Sequence, residues 1–219
     1  MKPDQKRATL RSMLALPLGV LGAAAVLRSP PAAARTTRPD ELAALRTRLD
    51  DLEARAQITQ VLHRYARGND RVDEDALRSC FWPESTHQHG AFKGKSQDFV
   101  GFAFKVVSNL KNCSHIITNV SIDVAGGHAV SECYFLAHHR RGKAGGTGEE
   151  DYFLKGRYLD RFERRDGVWK IIHRRGVHDF SRLFDPADTS LDAKPAEQLS
   201  ARKPDDPLYA MLAELAAGH

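Results

Sequence analysis

Long apolar runs and cysteine are both scarce in this 219-residue chain. The three cysteines, Cys80, Cys113 and Cys133, are an odd number without a C-x-x-C spacing, which excludes a disulfide framework and favours buried thiols. The apolar run MLALPLGVLGAAAVL has 15 residues, too short and too rich in Gly, Pro and Ala for a confident membrane span. No P-loop, G-x-G-x-x-G, G-x-S-x-G or H-E-x-x-H occurs, so nucleotide-cradling, nucleophile-elbow and zincin chemistry have no motif to rest on. No internal repeat is evident.

Surplus charge is missing too, despite a formal +5. Residues 1–34 hold Lys2, Lys6, Arg7, Arg11 and Arg28 against Asp4, so of 33 basic and 28 acidic residues the remainder keeps 28 and 27. A nucleic-acid partner is therefore not expected; the cluster HHRRGK at 138–143 reads as a solvated loop.

What is present begins with an export pattern. A basic stretch, the apolar run and Ala32-Ala33-Ala34 form a signal peptide over 1–34. Lys6-Arg7 resembles a twin-arginine signal with its first arginine replaced, which predicts a periplasmic or secreted protein without a stable membrane span after processing. Residues 35–40 read as linker, 41–185 as one domain and 186–219 as a tail with a short helix in DPLYAMLAELAA.

In the domain, Leu42, Leu45, Leu49, Leu52, Ala56, Ile58, Val61, Leu62 and Tyr65 recur at helical spacing, and Gly68-Asn69 offers a stop. A short helix over 73–81 ends at Pro83, and Ser96 is placed as N-cap of a third helix. Two hairpins follow, turning at Gly126-Gly127 and Asp166-Gly167. Helices first and hairpins after predict an α+β fold, a curved, mostly antiparallel sheet wrapped on about three helices.

With Gly126-Gly127 as the loop, unbroken pairing sets His115 opposite His138 and Val120 opposite Cys133. One face then collects Val120, Ile122, Val124 and Phe135. The other collects His115, His138 and Tyr134 among apolar residues, as a pocket lining does. A bulge would undo this register. From the residues alone His115 is either a catalytic base or a strand-end histidine satisfied by a carbonyl. His87-x-His89 has a spacing a metal could use, but with no third ligand evident it is placed at a pocket rim or the surface.

YARGNDRVDEDALRSCF, HIITNV and GRYLDRFERRDGVWKIIHRRGVHDF together resemble the SnoaL-like branch of the nuclear-transport-factor-2-like superfamily, over roughly residues 50–185. The resemblance implies a cone-shaped α+β fold with an internal pocket, and eliminations performed without metal or organic cofactor. It places His115 as general base, Asp70 as its supporting carboxylate and Tyr65 beside them. His138 matches a second pocket histidine and Arg174 a last-strand arginine. From the residues themselves, Asn69 beside Asp70, Tyr134 on the histidine-bearing face and Tyr158 on a strand face shared with Asp160 are further candidate substrate contacts, Tyr158 serving equally well in a structural hydrogen bond. Asn69 stands where some members carry a tyrosine, so substrate activation differs here.

Three functions compete: a cofactor-independent lyase acting on an aromatic or polycyclic small molecule, an extracytoplasmic binding protein, and a scaffold subunit. An isomerase or hydrolase is a variant of the first. The export pattern counts against the scaffold, and Tyr65, Asp70 and His115 together count against a pure binder. The face carrying Val120, Ile122, Val124 and Phe135 is expected to be buried in a homo-oligomer, trimer or dimer.

Overall fold

Helix α1 (Pro39–Asp70) spans 32 residues, with Asp40 and Glu41 in its first turn where the helix dipole favours carboxylates. It takes up the last two residues of the expected linker. The computed structural model of the chain describes residues 39–186, 194–195 and 198–218. The export signal at 1–34 lies outside them. No described helix is long and apolar enough to cross a membrane.

The elements run α1, α2 (Glu74–Ser79), β1 (Phe81–His89), β2 (Phe92–Lys95), α3 (Ser96–Ser108), β3 (Asn112–Ala125), β4 (His128–Gly142), β5 (Glu149–Arg165), β6 (Val168–Phe184) and α4 (Pro207–Ala216). The six strands form one mixed, curled but open sheet in the order β2-β1-β6-β5-β4-β3. All neighbours are antiparallel except β1 and β6. The α+β cone predicted from the sequence is thus the observed fold. Ile58, Leu62 and Leu77 meet Phe81, Cys133, Phe135, Phe162 and Ile171 in its core.

Several local expectations are corrected. Gly68 does not stop α1: it is buried in the helix because an added Cβ would lie 2.9 Å from Leu77 Cγ, and the positive φ falls on Val72 instead. α2 ends at Ser79 and the chain enters β1 before Pro83. Ser96 is the first residue of α3, whose N-cap is Lys95 with no side-chain cap bond.

The largest correction is in the first hairpin. Near the turn Val124 pairs Ala129 and Ser121 pairs Glu132, as expected. A bulge between Thr118 and Ser121, with Asn119 at φ 50°, then shifts the pairing by one. His115 now pairs Ala137, and His138 pairs Ser114. Ile122 and Phe135 of the expected oligomer face are buried in the core of the chain itself, with Val120 and Val124 partly buried against it.

Candidate active site

Asp70 is the last residue of α1, and β3 is the edge strand of the sheet. An edge strand leaves backbone N–H groups unpaired on its outer side. Asp70 uses one of them: the His115 backbone N–H donates to Oδ2 at 3.0 Å, while Oδ1 lies 2.8 Å from His115 Nδ1. Both carboxylate oxygens are thus spent on one residue. The carboxylate is satisfied by a proton on Nδ1, which leaves Nε2 as the basic nitrogen. The side chains are only 8% and 15% exposed, so the pair is largely withdrawn from water.

His115 borders a cavity of about 160 Å³ between α1, α3 and the concave sheet face. Phe99, Phe102, Val106, Phe135, Ala137 and Leu154 supply its apolar wall. Tyr65, Asn69, Tyr158, His89 and His139 supply the polar groups. A larger open groove of about 760 Å³, between Glu84, Asp123, His128, Arg161 and His173, shares no lining residue with it and holds no such constellation.

Tyr65, Asn69, Asp70, His115 and Tyr158 are therefore brought together, as the sequence implied. Asn69 is buried and turned partly on its own helix, donating from Nδ2 to the Tyr65 carbonyl at 2.9 Å. Burial raises the Tyr65 and Tyr158 phenols, so both remain protonated donors.

Three expected contacts do not reach the cavity. The bulge carries His115 to the face of Phe135 and His139, and leaves His138 on the opposite face of β4, where Nε2 meets Asp151 at 2.7 Å and the ring stacks on Phe153. Tyr134 lies on that same face beneath Lys155 and Arg157. Arg174 is fully buried in a two-bond ion pair with Asp160, both bonds 2.7 Å. Its guanidinium lies in the corner between the Tyr65 and Tyr158 rings, 4.1 and 4.2 Å from their centroids, and the two rings meet edge to face at 5.7 Å. It braces two cavity walls and touches no cavity space.

Two histidines take the vacated places. His139 lines the cavity with its ring 5.3 Å from that of His115, and its buried Nε2 has no hydrogen-bond partner among the described residues. His89 lines it from β1 with Nδ1 likewise unpartnered. Burial, reinforced by neighbouring positive charge, lowers their pKa values to about 3 and about 4, so both are neutral. His87, expected at a rim or the surface, is core: 1% exposed, stacked 3.7 Å from Phe99 and held to a pKa of about 2 by burial. Strand alternation in the presence of a bulge was the only signal that could have found His139.

Among the described residues, Cys113, His115 and His139 bring three potential metal-ligating atoms within 4.8 Å. Burial, and then the Asp70 charge, push the Cys113 thiol well above its usual range, and His115 Nδ1 is committed to Asp70.

A bent α+β cone with a buried carboxylate–histidine pair at a small cavity is a fold of the small-molecule-pocket type. The chain belongs to the SnoaL-like domain family, whose model matches residues 50–175. No curated protein matches. Among solved structures it is similar to a putative scytalone dehydratase from Novosphingobium aromaticivorans, at 22% identity over 63% of this chain and 95% of that one, TM-score 0.53. A hexachlorocyclohexane dehydrochlorinase of type 2 gives 21% identity over 64% and 97%, TM-score 0.57. The type 3 enzyme from Novosphingobium barchaimii gives 22% over 62% and 93%, TM-score 0.55. At these identities the likeness carries the fold alone.

Proposed function

We propose that the protein is a lyase that eliminates water or a comparable leaving group from a neutral, single-ring small molecule, with His115 as general base. The observation that carries this reading is the Asp70–His115 pair, bonded through ring and backbone, at the wall of a mostly apolar cavity. In the reaction His115 Nε2 removes a proton from a ring carbon. The C–H electron pair becomes the new double bond, and the leaving group departs with its own pair from the adjacent carbon. Asp70 stabilises the imidazolium formed, which then returns its proton to the leaving group or to solvent. Tyr65, Tyr158 and neutral His139 are the candidates to hydrogen-bond the ligand oxygen or the departing group.

A cavity of roughly 150 Å³ accommodates benzene, and this one measures about 160 Å³ and is open on one side. A single substituted ring fills it, and a larger ring system would extend through its open side. Two neutral imidazoles and two protonated phenols favour an uncharged ligand bearing hydroxyl, carbonyl or halogen substituents.

A screen of cyclic β-hydroxyketones and halogenated cyclohexanes tests this directly. His115→Ala is expected to lower turnover by on the order of 10²–10⁴-fold with an unchanged circular dichroism spectrum. Asp70→Asn should lose nearly as much, and exhaustive dialysis against a chelator should change nothing. Ligands that bind wild type and His115→Ala equally, with no turnover by either, would make this a binding protein.

A further inference from the structure

α1 carries two apolar stripes, and among the described residues only one packs against the domain. From Ala54 onward the helix buries Ala54, Ile58, Val61, Leu62 and Tyr65. Before that point, every residue from Pro39 to Asp50 is exposed. Along this segment and its next half-turn Leu42, Leu45, Leu49 and Leu52 are 43%, 52%, 54% and 63% exposed. At about 100° per residue, this leucine stripe lies about 180° around the helix from the buried one. It is not a continuation of the core-facing side, although its spacing in the sequence reads as one.

The stripe has the spacing of a coiled-coil seam, three then four then three residues apart. With Leu42 and Leu49 at a and Leu45 and Leu52 at d, the flanking g positions are Glu41 and Arg48 and the e positions are Arg46 and Glu53. In a parallel, in-register association each g side chain meets the e side chain of the next heptad on the other helix. Glu41 then faces Arg46 of the second copy, and Arg48 faces Glu53 of the second copy. Both contacts are attractive. The antiparallel arrangement stacking the same four leucine layers sets Arg46 near Arg46 and Arg48 near Arg48, which repels.

We infer that residues 41–53 of α1 form a short parallel coiled coil with the same segment of a second copy of this chain. Apolar seam and charge pattern each select that partner independently. A parallel contact runs along a rotation axis and closes, so it yields a discrete oligomer and not a filament.

Sedimentation velocity on the full chain tests the inference. Wild type should self-associate in the micromolar range. Leu45→Glu/Leu49→Glu should raise the dissociation constant by at least about 100-fold, because two leucine layers are lost on each helix. Glu41→Arg alone should weaken association, and Glu41→Arg/Arg46→Glu should restore it. Leu45→Cys should give a disulfide-linked dimer on mild oxidation, since d residues meet each other only in the parallel register. All these positions are exposed, and circular dichroism checks that the fold is retained. A monomeric wild type, association indifferent to the paired glutamates, failure of the charge swap to rescue, or no cross-link at position 45 would each overturn it.

Discussion

Arg174 shows at the residue scale how a functional-looking side chain becomes architecture. An arginine on the last strand reads as a substrate contact, yet its charge is wholly buried and answered by Asp160. Burial alone would depress its pKa, but the Asp160 charge, the hydrogen bonds to Asp160 and the neighbouring Tyr65 and Tyr158 together outweigh this and hold it above the ordinary arginine value. Removing one partner of such a pair leaves an uncompensated buried charge, which costs roughly 3–5 kcal/mol. Asp160→Asn should therefore lower stability by about that amount in urea denaturation. Because Arg174 is clasped by Tyr65 and Tyr158, the same change should also weaken ligand binding although Asp160 does not line the cavity. If Asp160→Asn lost less than about 1 kcal/mol, the bracing role would be wrong.

At the scale of elements, two local features place the base and its partner. α1 must continue through Gly68 for Asp70 to reach β3, and this requires the close approach of Leu77. Gly→Ala inside a helix is ordinarily favourable by about 0.5–1 kcal/mol. Here the new Cβ meets Leu77 Cγ at 2.9 Å and the Leu77 backbone nitrogen at 3.2 Å. Gly68→Ala is expected to destabilise by about 1–3 kcal/mol, the cost of overpacking. A thermal melt showing stabilisation instead would mean that α2 yields easily. The second feature is the bulge at Asn119, which decides the facing of everything before it on β3. Asparagine tolerates the left-handed backbone where a β-branched residue does not, so the bulge has a suitable residue at its strained position.

For the molecule as a whole, neutral buried histidines link stability to pH. His87, His89 and His139 have folded pKa values near 2, 4 and 3, against about 6.5 for an unfolded histidine. Between pH 6.5 and about 4 the unfolded chain therefore binds more protons than the folded one. Stability must fall as pH drops through that window and be insensitive to these groups above it. Asp151, lowered to about 2 chiefly by its bond to Arg140, keeps its contribution until the pH falls below about 4, so the two effects separate. Calorimetry should show the melting temperature declining from pH 6.5 to 4.5, and His139→Gln should flatten that decline. An unchanged slope in the variant would contradict the burial of His139 as a neutral group.

Much of this was legible from the chain alone. Periodicity and turn residues determine the order of helices and hairpins, because apolar spacing and glycine-bearing turns act over a few neighbouring residues. The residue types and spacing of Tyr65, Asp70 and His115, read with the family resemblance, foretold the pair that the fold joins at 2.8 Å. What only the tertiary structure decided is which way side chains face. Strand side chains alternate with a period of two, so one extra residue at Asn119-Val120 moved His115 to the face of His139 and left His138 and Tyr134 on the other. Likewise, α1 carries apolar residues nearly all round. Only the point at which the helix leaves the domain, at Ala54, separates a stripe that builds the core from one that awaits a partner.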